Sequence, residues 1–339
     1  MIKPMGKNLF HVSSTALKGI LFLAILTAIF MLLKDVDWKR TRPILATIDV
    51  VPVIVVFLLG GMNIFLVTLR WHILLKVVKK NISFRNVIVA TIGATAINTA
   101  GPGKLGVPAK AILIKKLEGV EINQSIPSVL MDLFIEILAM FLLLVVSALA
   151  IGMHTTVWRF AAAAFTGENI FYTGGLLILV MLVVYLLRHK IAANDFIRNL
   201  VAALQKTLKR KDIFVLALGI SFLNLLVHFW ADQLLFKALQ QDIPFGFVVF
   251  SSAFSAMAGL LSPLPSGLGV WELSRAYLFK TYYHIGELAV IMTLLRRLLT
   301  YTVMGVIYCV STFFVTRDKN LAIPEMADHK VLPNGLAGD

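Results

Sequence analysis

Charge is scarce in this sequence and cysteine almost absent. Only 15% of the 339 residues are charged, against about 25% in ordinary soluble domains, while 59% are hydrophobic. A soluble core cannot hide that much apolar surface, so lipid must solvate most of the chain. The single Cys309 excludes an internal disulfide and a Cys-rich metal site; inside an apolar run it reads as a small packing residue. No long polar block interrupts the apolar runs, so no extramembrane domain is expected. The G-x-x-x-x-G-K-[ST] phosphate loop is missing, and with it any ATP site. No cofactor is expected, and active transport would have to draw on an ion gradient or a downhill lipid flux.

Positive charge is the one kind in surplus, at a formal +14. The basic residues sit at the ends of apolar segments rather than in a soluble stripe, which points to anionic lipid headgroups and away from nucleic acid. Lys3, Lys7 and Lys18 precede the apolar run 19–33, yet Lys34-Asp35-Val36-Asp37-Trp38 follows it in place of a small-residue cleavage site. That run reads as an uncleaved first span.

Six segments approach the roughly twenty residues needed to cross a bilayer: 16–33, 49–70, 127–151, 171–188, 213–236 and 288–315. Two more, 87–116 and 247–280, are broken near the middle by Pro and Gly. They read as re-entrant helical hairpins, since irregular backbone at that depth is tolerated only inside protein or against a watery cavity. Two full crossings each would give the same sidedness. Lys3, Lys7, Arg70, Lys76, Lys79, Lys80, Arg85, the basic residues of 188–211, Arg317 and Lys319 fall on one side, which marks it as cytoplasmic. The expected fold is therefore an all-α integral membrane domain over 1–315, in the cell inner membrane, with both termini and the polar tail 316–339 in the cytoplasm.

The chain also repeats itself at an offset of about 161–165 residues. Asn63–Phe84 lies over Asn224–Phe245 without a gap, Pro102–Val107 over Pro265–Val270, and Ser128–Asp132 over Thr293–Arg297. With repeat 1 at about 49–151 and repeat 2 at about 213–315, three crossings separate their starts, so the copies must be antiparallel. An inverted repeat whose broken helices meet near the midplane is the usual architecture of an alternating-access carrier.

Several residues in this frame can contact a substrate. At the first break, Gly101, Pro102, Gly103, Lys104 and Gly106 let backbone approach an anion at a helix N-terminus, with Lys104 at the tip and Lys110 beyond it. The second break carries Pro265, Gly267 and Gly269, then Glu272 and Arg275, which are spaced for an intrahelical pair. Asp132 and Glu136 share one helical face, and at about 14 Å from Pro127, Glu136 lies close to the midplane. They need a cation or a shared proton, and pseudo-symmetry nominates Arg296 or Arg297 as the cation. His72, His228 and Asp232 are weaker candidates; His228 and Asp232 share a face as a polar pair without a third metal ligand. Trp71, Trp158 and Trp230 read as interfacial anchors, and 198–211 as a solvated amphipathic helix.

Arg70-Trp71, Pro102-Gly103-Lys104-Leu105-Gly106 leading to Lys110, Asp132 with Glu136, Pro265-Ser-Gly-Leu-Gly-Val-Trp-Glu272 and Arg297 together resemble the flippase-like family of the lysylphosphatidylglycerol synthase transmembrane region. The resemblance covers roughly residues 15–315. It implies movement of lipids between leaflets, for members linked to aminoacylated phospholipids, hopanoids or lipid-linked glycans. Ser266, Val107 and Leu133 depart from the family pattern, which bears on headgroup contacts more than on the fold. The soluble aminoacyl-transferase domain of larger relatives is absent from this sequence, so aminoacylation by this chain is not expected. The leading expectation is a flippase or transporter of a polar, anionic or phosphate-containing lipid. The alternatives are a membrane-embedded enzyme or accessory factor of lipid or glycolipid synthesis, partnered by lipid-synthesis enzymes, or a scaffold.

Overall fold

The computed structural model describes residues 46–100, 105–153, 208–260 and 269–317, with positions 43, 155, 205 and 267. The expected spans 16–33 and 171–188, the hairpin tips with Gly101, Pro102, Gly103, Lys104 and Pro265, Trp158, and the tail beyond Arg317 lie outside the described residues.

The described residues form eight helices in the order long, short, short, long, twice over. They are α1 Val50–Leu75, α2 Phe84–Ala100, α3 Gly106–Glu118 and α4 Ile122–Ala150, then α5 Lys211–Ala238, α6 Phe245–Leu260, α7 Val270–Tyr283 and α8 Gly286–Arg317. The four long helices are long and apolar enough to cross a membrane. The short ones, of 17, 13, 16 and 14 residues, reach only about 20–26 Å at 1.5 Å per residue, less than the roughly 30 Å of hydrocarbon.

Local chemistry sets the helix ends. Asp49 caps α1 by accepting from the Val51 N–H at 3.0 Å. Gly119, at φ 67°, ends α3 in the left-handed conformation that glycine adopts without strain. α4 starts at Ile122 and carries Pro127 within it, where the ring forgoes the hydrogen bond that an N–H at this position would give to the Asn123 carbonyl.

Each pair of short helices returns to the end from which it set out. At the first, the Glu118 carboxylate at the end of α3 accepts from the Ser83 N–H at 3.0 Å and from Asn86 Nδ2 at 2.7 Å, both at the start of α2. At the second, Phe247 near the start of α6 packs its ring 4.8 Å from that of Tyr283, the last residue of α7. The arms then cross closely: a Cβ on Gly106 would lie 2.6 Å from the Asn98 Cβ, and one on Gly267 would lie 2.8 Å from the Gly259 carbonyl oxygen.

The two sets of four helices run in opposite directions. The Asp49 N–H donates to the Ala238 carbonyl at 3.1 Å, so α1 begins where α5 ends. Midway, Asn63 Nδ2 donates to Asn224 Oδ1 at 2.8 Å across an offset of 161 residues, which is the offset of the sequence repeat. The same offset relates two side-chain locks on the backbone: His72 Nε2 stands 3.1 Å from the Ile82 carbonyl, and Gln233 Nε2 donates to the Ile243 carbonyl at 2.7 Å. The α2–α3 hairpin therefore opens at the end where α1 stops, and the α6–α7 hairpin at the opposite end.

The largest apolar cluster, around Phe229, Phe236, Phe250 and Phe279, fills the second half. A smaller one around Trp71, Leu75 and Ile114 fills the first. Large apolar side chains such as Val51, Leu58, Phe134, Val146, Val215 and Leu298 face outward, as lipid contact requires.

Candidate functional site

Two clusters of charged side chains lie within this helical frame. In the first, the buried Arg70 of α1 donates from Nε to Asp132 Oδ1 at 2.5 Å, from NH2 to Glu136 Oε2 at 2.6 Å, and from NH1 to the Ser221 hydroxyl of α5 at 2.9 Å. Lys110 of α3 donates to the other Asp132 oxygen at 2.8 Å, and its ammonium sits 4.8 Å above the Trp71 ring. Trp71 Nε1 donates to the Ser128 hydroxyl at 3.3 Å.

In the second cluster, buried Asp232 of α5 accepts from Arg275 NH2 of α7 at 2.6 Å and from Ser252 of α6 at 3.1 Å. The same Arg275 nitrogen also donates to the Ser252 hydroxyl. Arg296 of α8 holds its Nε 3.3 Å from the free Asp232 oxygen and its NH2 3.2 Å from His228 Nδ1. Arg297 donates from Nε to Glu272 Oε1 at 2.5 Å and lies 4.9 Å over the Trp271 ring. The other Glu272 oxygen accepts from the Gly269 N–H at 2.8 Å, closing the start of α7.

The structure revises four expectations. Asp132 and Glu136 are neutralised by Arg70 and Lys110, not by Arg296 or Arg297. Pseudo-symmetry places Arg297 opposite Asp132 in the repeat, but each carries out its pairing inside its own half. Glu272 and Arg275 do not pair with each other either; each reaches across to a different helix, since a buried charge needs an interhelical partner more than a neighbour on its own surface. Arg70 and Trp71 are wholly buried within the protein, so Trp71 does not anchor in headgroups, whereas Trp230 does face outward. Cys309 is exposed on α8 rather than packed inside.

A cavity lies between the two clusters, in two lobes of about 290 Å³ each. The lobes share Thr95, Asn98, Leu133, Glu136, His228, Arg296, Thr300 and Met304. The first lobe reaches Gly106, Lys110 and Asp132 beside the first hairpin; the second reaches Gly259, Trp271 and Arg297 beside the other. Two lining residues carry a buried polar atom without a hydrogen bond, Asn98 at Oδ1 and Trp271 at Nε1. Of the described site residues named from sequence, Gly106, Lys110, Asp132, Glu136, Arg296 and Arg297 line the cavity. Gly267, Gly269, Glu272 and Arg275 are not among its lining residues; Glu272, held by the Gly269 N–H, pairs with Arg297, Arg275 pairs with Asp232, and Gly267 lies against Gly259. The sequence reading missed Arg70, Ser221, Ser252 and the axial Asn63–Asn224 pair. Arg70 had a usable signal, being followed directly by Trp71-His72-Ile73-Leu74-Leu75, which continues the apolar helix beyond the charge.

The model of the lysylphosphatidylglycerol synthase TM region matches residues 17–307. The chain belongs to that family. It is also similar to a UPF0104 membrane protein of Methanothermobacter thermautotrophicus, at 24% identity over 254 residues, which is 66% of this chain and 72% of the relative. The protein is thus an integral membrane protein of the lysylphosphatidylglycerol synthase TM family.

Proposed function

We propose that this family member carries a polar, anionic lipid between the leaflets of the cell inner membrane, its headgroup passing through the two-lobed cavity. The observation that carries this reading is the set of cations on the cavity walls. Lys110 lines one lobe, Arg297 the other and Arg296 both. Guanidinium and ammonium groups are the donors that recognise a phosphate. A lipid phosphate can meet them in the cavity while its tails stay in hydrocarbon.

The reading takes the two hairpins as re-entrant from opposite leaflets, within six crossings and with cytoplasmic termini, so that each hairpin gates one lobe. The closely crossed arms at Gly106 and Gly267 support this, because two short helices can slide past each other only where no side chain interlocks them. An acid–base enzyme using Asp132 and Glu136 is the weaker alternative, since both carboxylates are engaged by Arg70.

Reconstitution into liposomes with fluorescent lipids tests the proposal. Movement of anionic lipid between leaflets, with no covalent change and faster than a zwitterionic lipid of equal tails, is the expected result. A chemically altered lipid would make the protein an enzyme, and neither outcome would make it a scaffold; both overturn the carrier reading.

A further inference from the structure

One titratable group in the wall between the lobes is not used up by the ion pairs. His228 of α5 lines both lobes, and its Nδ1 stands 3.2 Å from Arg296 NH2. A guanidinium has donors and no acceptor, so Nδ1 must be the unprotonated nitrogen and the ring neutral, with its proton on Nε2. Protonating Nδ1 would set donor against donor and cation against cation.

The charged groups facing the ring come from three other helices and its own. They are Arg296 of α8, Arg275 of α7, Glu136 of α4, and Asp232 one turn further along α5. α1, α2 and α6 add only uncharged residues to the same walls, Asn63, Asn98 and Ala256 among them, while Lys110 and Asp132 also line the first lobe and Arg297 the second. Arg296 is the group both sides compete for, held between Asp232 and His228.

We propose that His228 is the proton site of a proton-coupled carrier, binding one proton together with each anionic headgroup. This rests on the carrier reading above. An arriving phosphate draws Arg296 toward itself, which removes the donor from His228 Nδ1 and exposes that lone pair. The negative charge beside the ring then favours the imidazolium. By linkage the effect is reciprocal: the protonated ring strengthens phosphate binding by the same factor that phosphate strengthens proton binding. The proton enters from water on one side and leaves to water on the other, and no bond in the lipid changes. A proton and a monoanionic lipid cross as an electroneutral pair, which avoids the cost of moving net charge through the bilayer.

The test uses the full chain in phosphatidylcholine vesicles with a trace of fluorescent phosphatidylglycerol, under a pH difference of about one unit. The leaflet distribution at its endpoint is read with an impermeant quencher. With one proton per lipid, the label should gather in the leaflet facing the more alkaline compartment, by up to about tenfold per pH unit. H228N keeps an oxygen near the Nδ1 position for Arg296 but cannot gain charge, and H228Q is a second non-titrating replacement. Both should settle at an even distribution, and reading the endpoint means that a slower variant still reports. If the wild-type protein moves the label but ends evenly distributed, the proton inference is overturned and the carrier reading stands. A wild-type-like bias in both variants also overturns the assignment to His228. If the wild-type protein moves no label, the carrier reading falls, and this inference with it.

Discussion

Replacing Arg70 with Met tests whether the first ion cluster holds the helices together. Arg70 is almost wholly buried and joins three helices, through Asp132 and Glu136 on α4 and Ser221 on α5. In R70M, Asp132 retains Lys110, whereas Glu136 loses the ion-pair partner that the structure gives it. Removing one partner of a buried pair costs about 3–5 kcal/mol, mostly through the charge left behind. Glu136 keeps 38% of its side chain accessible from the cavity, so the lower end, about 3 kcal/mol, is expected. The double variant R70M/E136Q removes the orphaned charge and should recover about 1–2 kcal/mol of that loss. Equilibrium unfolding in bicelles, followed by helical circular dichroism, measures both. Leu58→Ala, at an outward-facing site 65% exposed, is the reference. If R70M unfolds within about 0.5 kcal/mol of that reference, or if E136Q adds to the loss instead of relieving it, the cluster is not a structural ion network.

The remaining predictions probe the frame. Gly106→Ala should destabilise by about 1–3 kcal/mol, because its Cβ would meet the Asn98 Cβ at 2.6 Å and the Ala94 carbonyl at 2.7 Å; Gly61→Ala, with nothing within 4 Å, should stay within about 0.5 kcal/mol in the same assay. Replacing both Asn63 and Asn224 with Ala should cost about 0.6–2 kcal/mol, the range for hydrogen bonds between membrane helices, and each single replacement should cost nearly as much as the pair. In a Cys309→Ser background, Lys116→Cys and Lys280→Cys should react with an impermeant thiol reagent from opposite sides of the membrane. Labelling of both from one side would make the two hairpins parallel and remove the carrier geometry.

The helical pattern was open to sequence reasoning because lipid imposes a simple rule. Apolar runs of sufficient length became α1, α4, α5 and α8, and Pro–Gly interruptions left helices too short to cross. Antiparallel halves are expected from counting crossings, and among the described residues the Asp49–Ala238 contact sets the start of α1 beside the end of α5. Ion pairing was much less legible. Asp132 needs a cation, and the sequence says so, but Arg70, Arg275, Arg296 and Arg297 satisfy the same demand on paper. Which one fills it depends on rotation of each helix about its axis, and burial on all sides gives an apolar membrane helix almost no periodic signal to fix that rotation. Arg70 and Trp71 were placed at the surface for the same reason, since a cation beside tryptophan near a span end has the appearance of an interfacial anchor.

The asparagine pair on the central axis has a corollary for how two halves can differ. Two identical subunits facing each other about a twofold must carry the same residue at matching places, and Asn63 with Asn224 obeys that condition. Asp132 against Arg297, or Trp71 against Asp232, cannot, so a homodimer of half-length chains could not build this scheme. Joining both halves in one polypeptide frees each to specialise. One half then sets Arg70 and Lys110 against Asp132 and Glu136, the other sets Arg275 and Arg296 around Asp232, and the cavity between them is bounded by unlike walls.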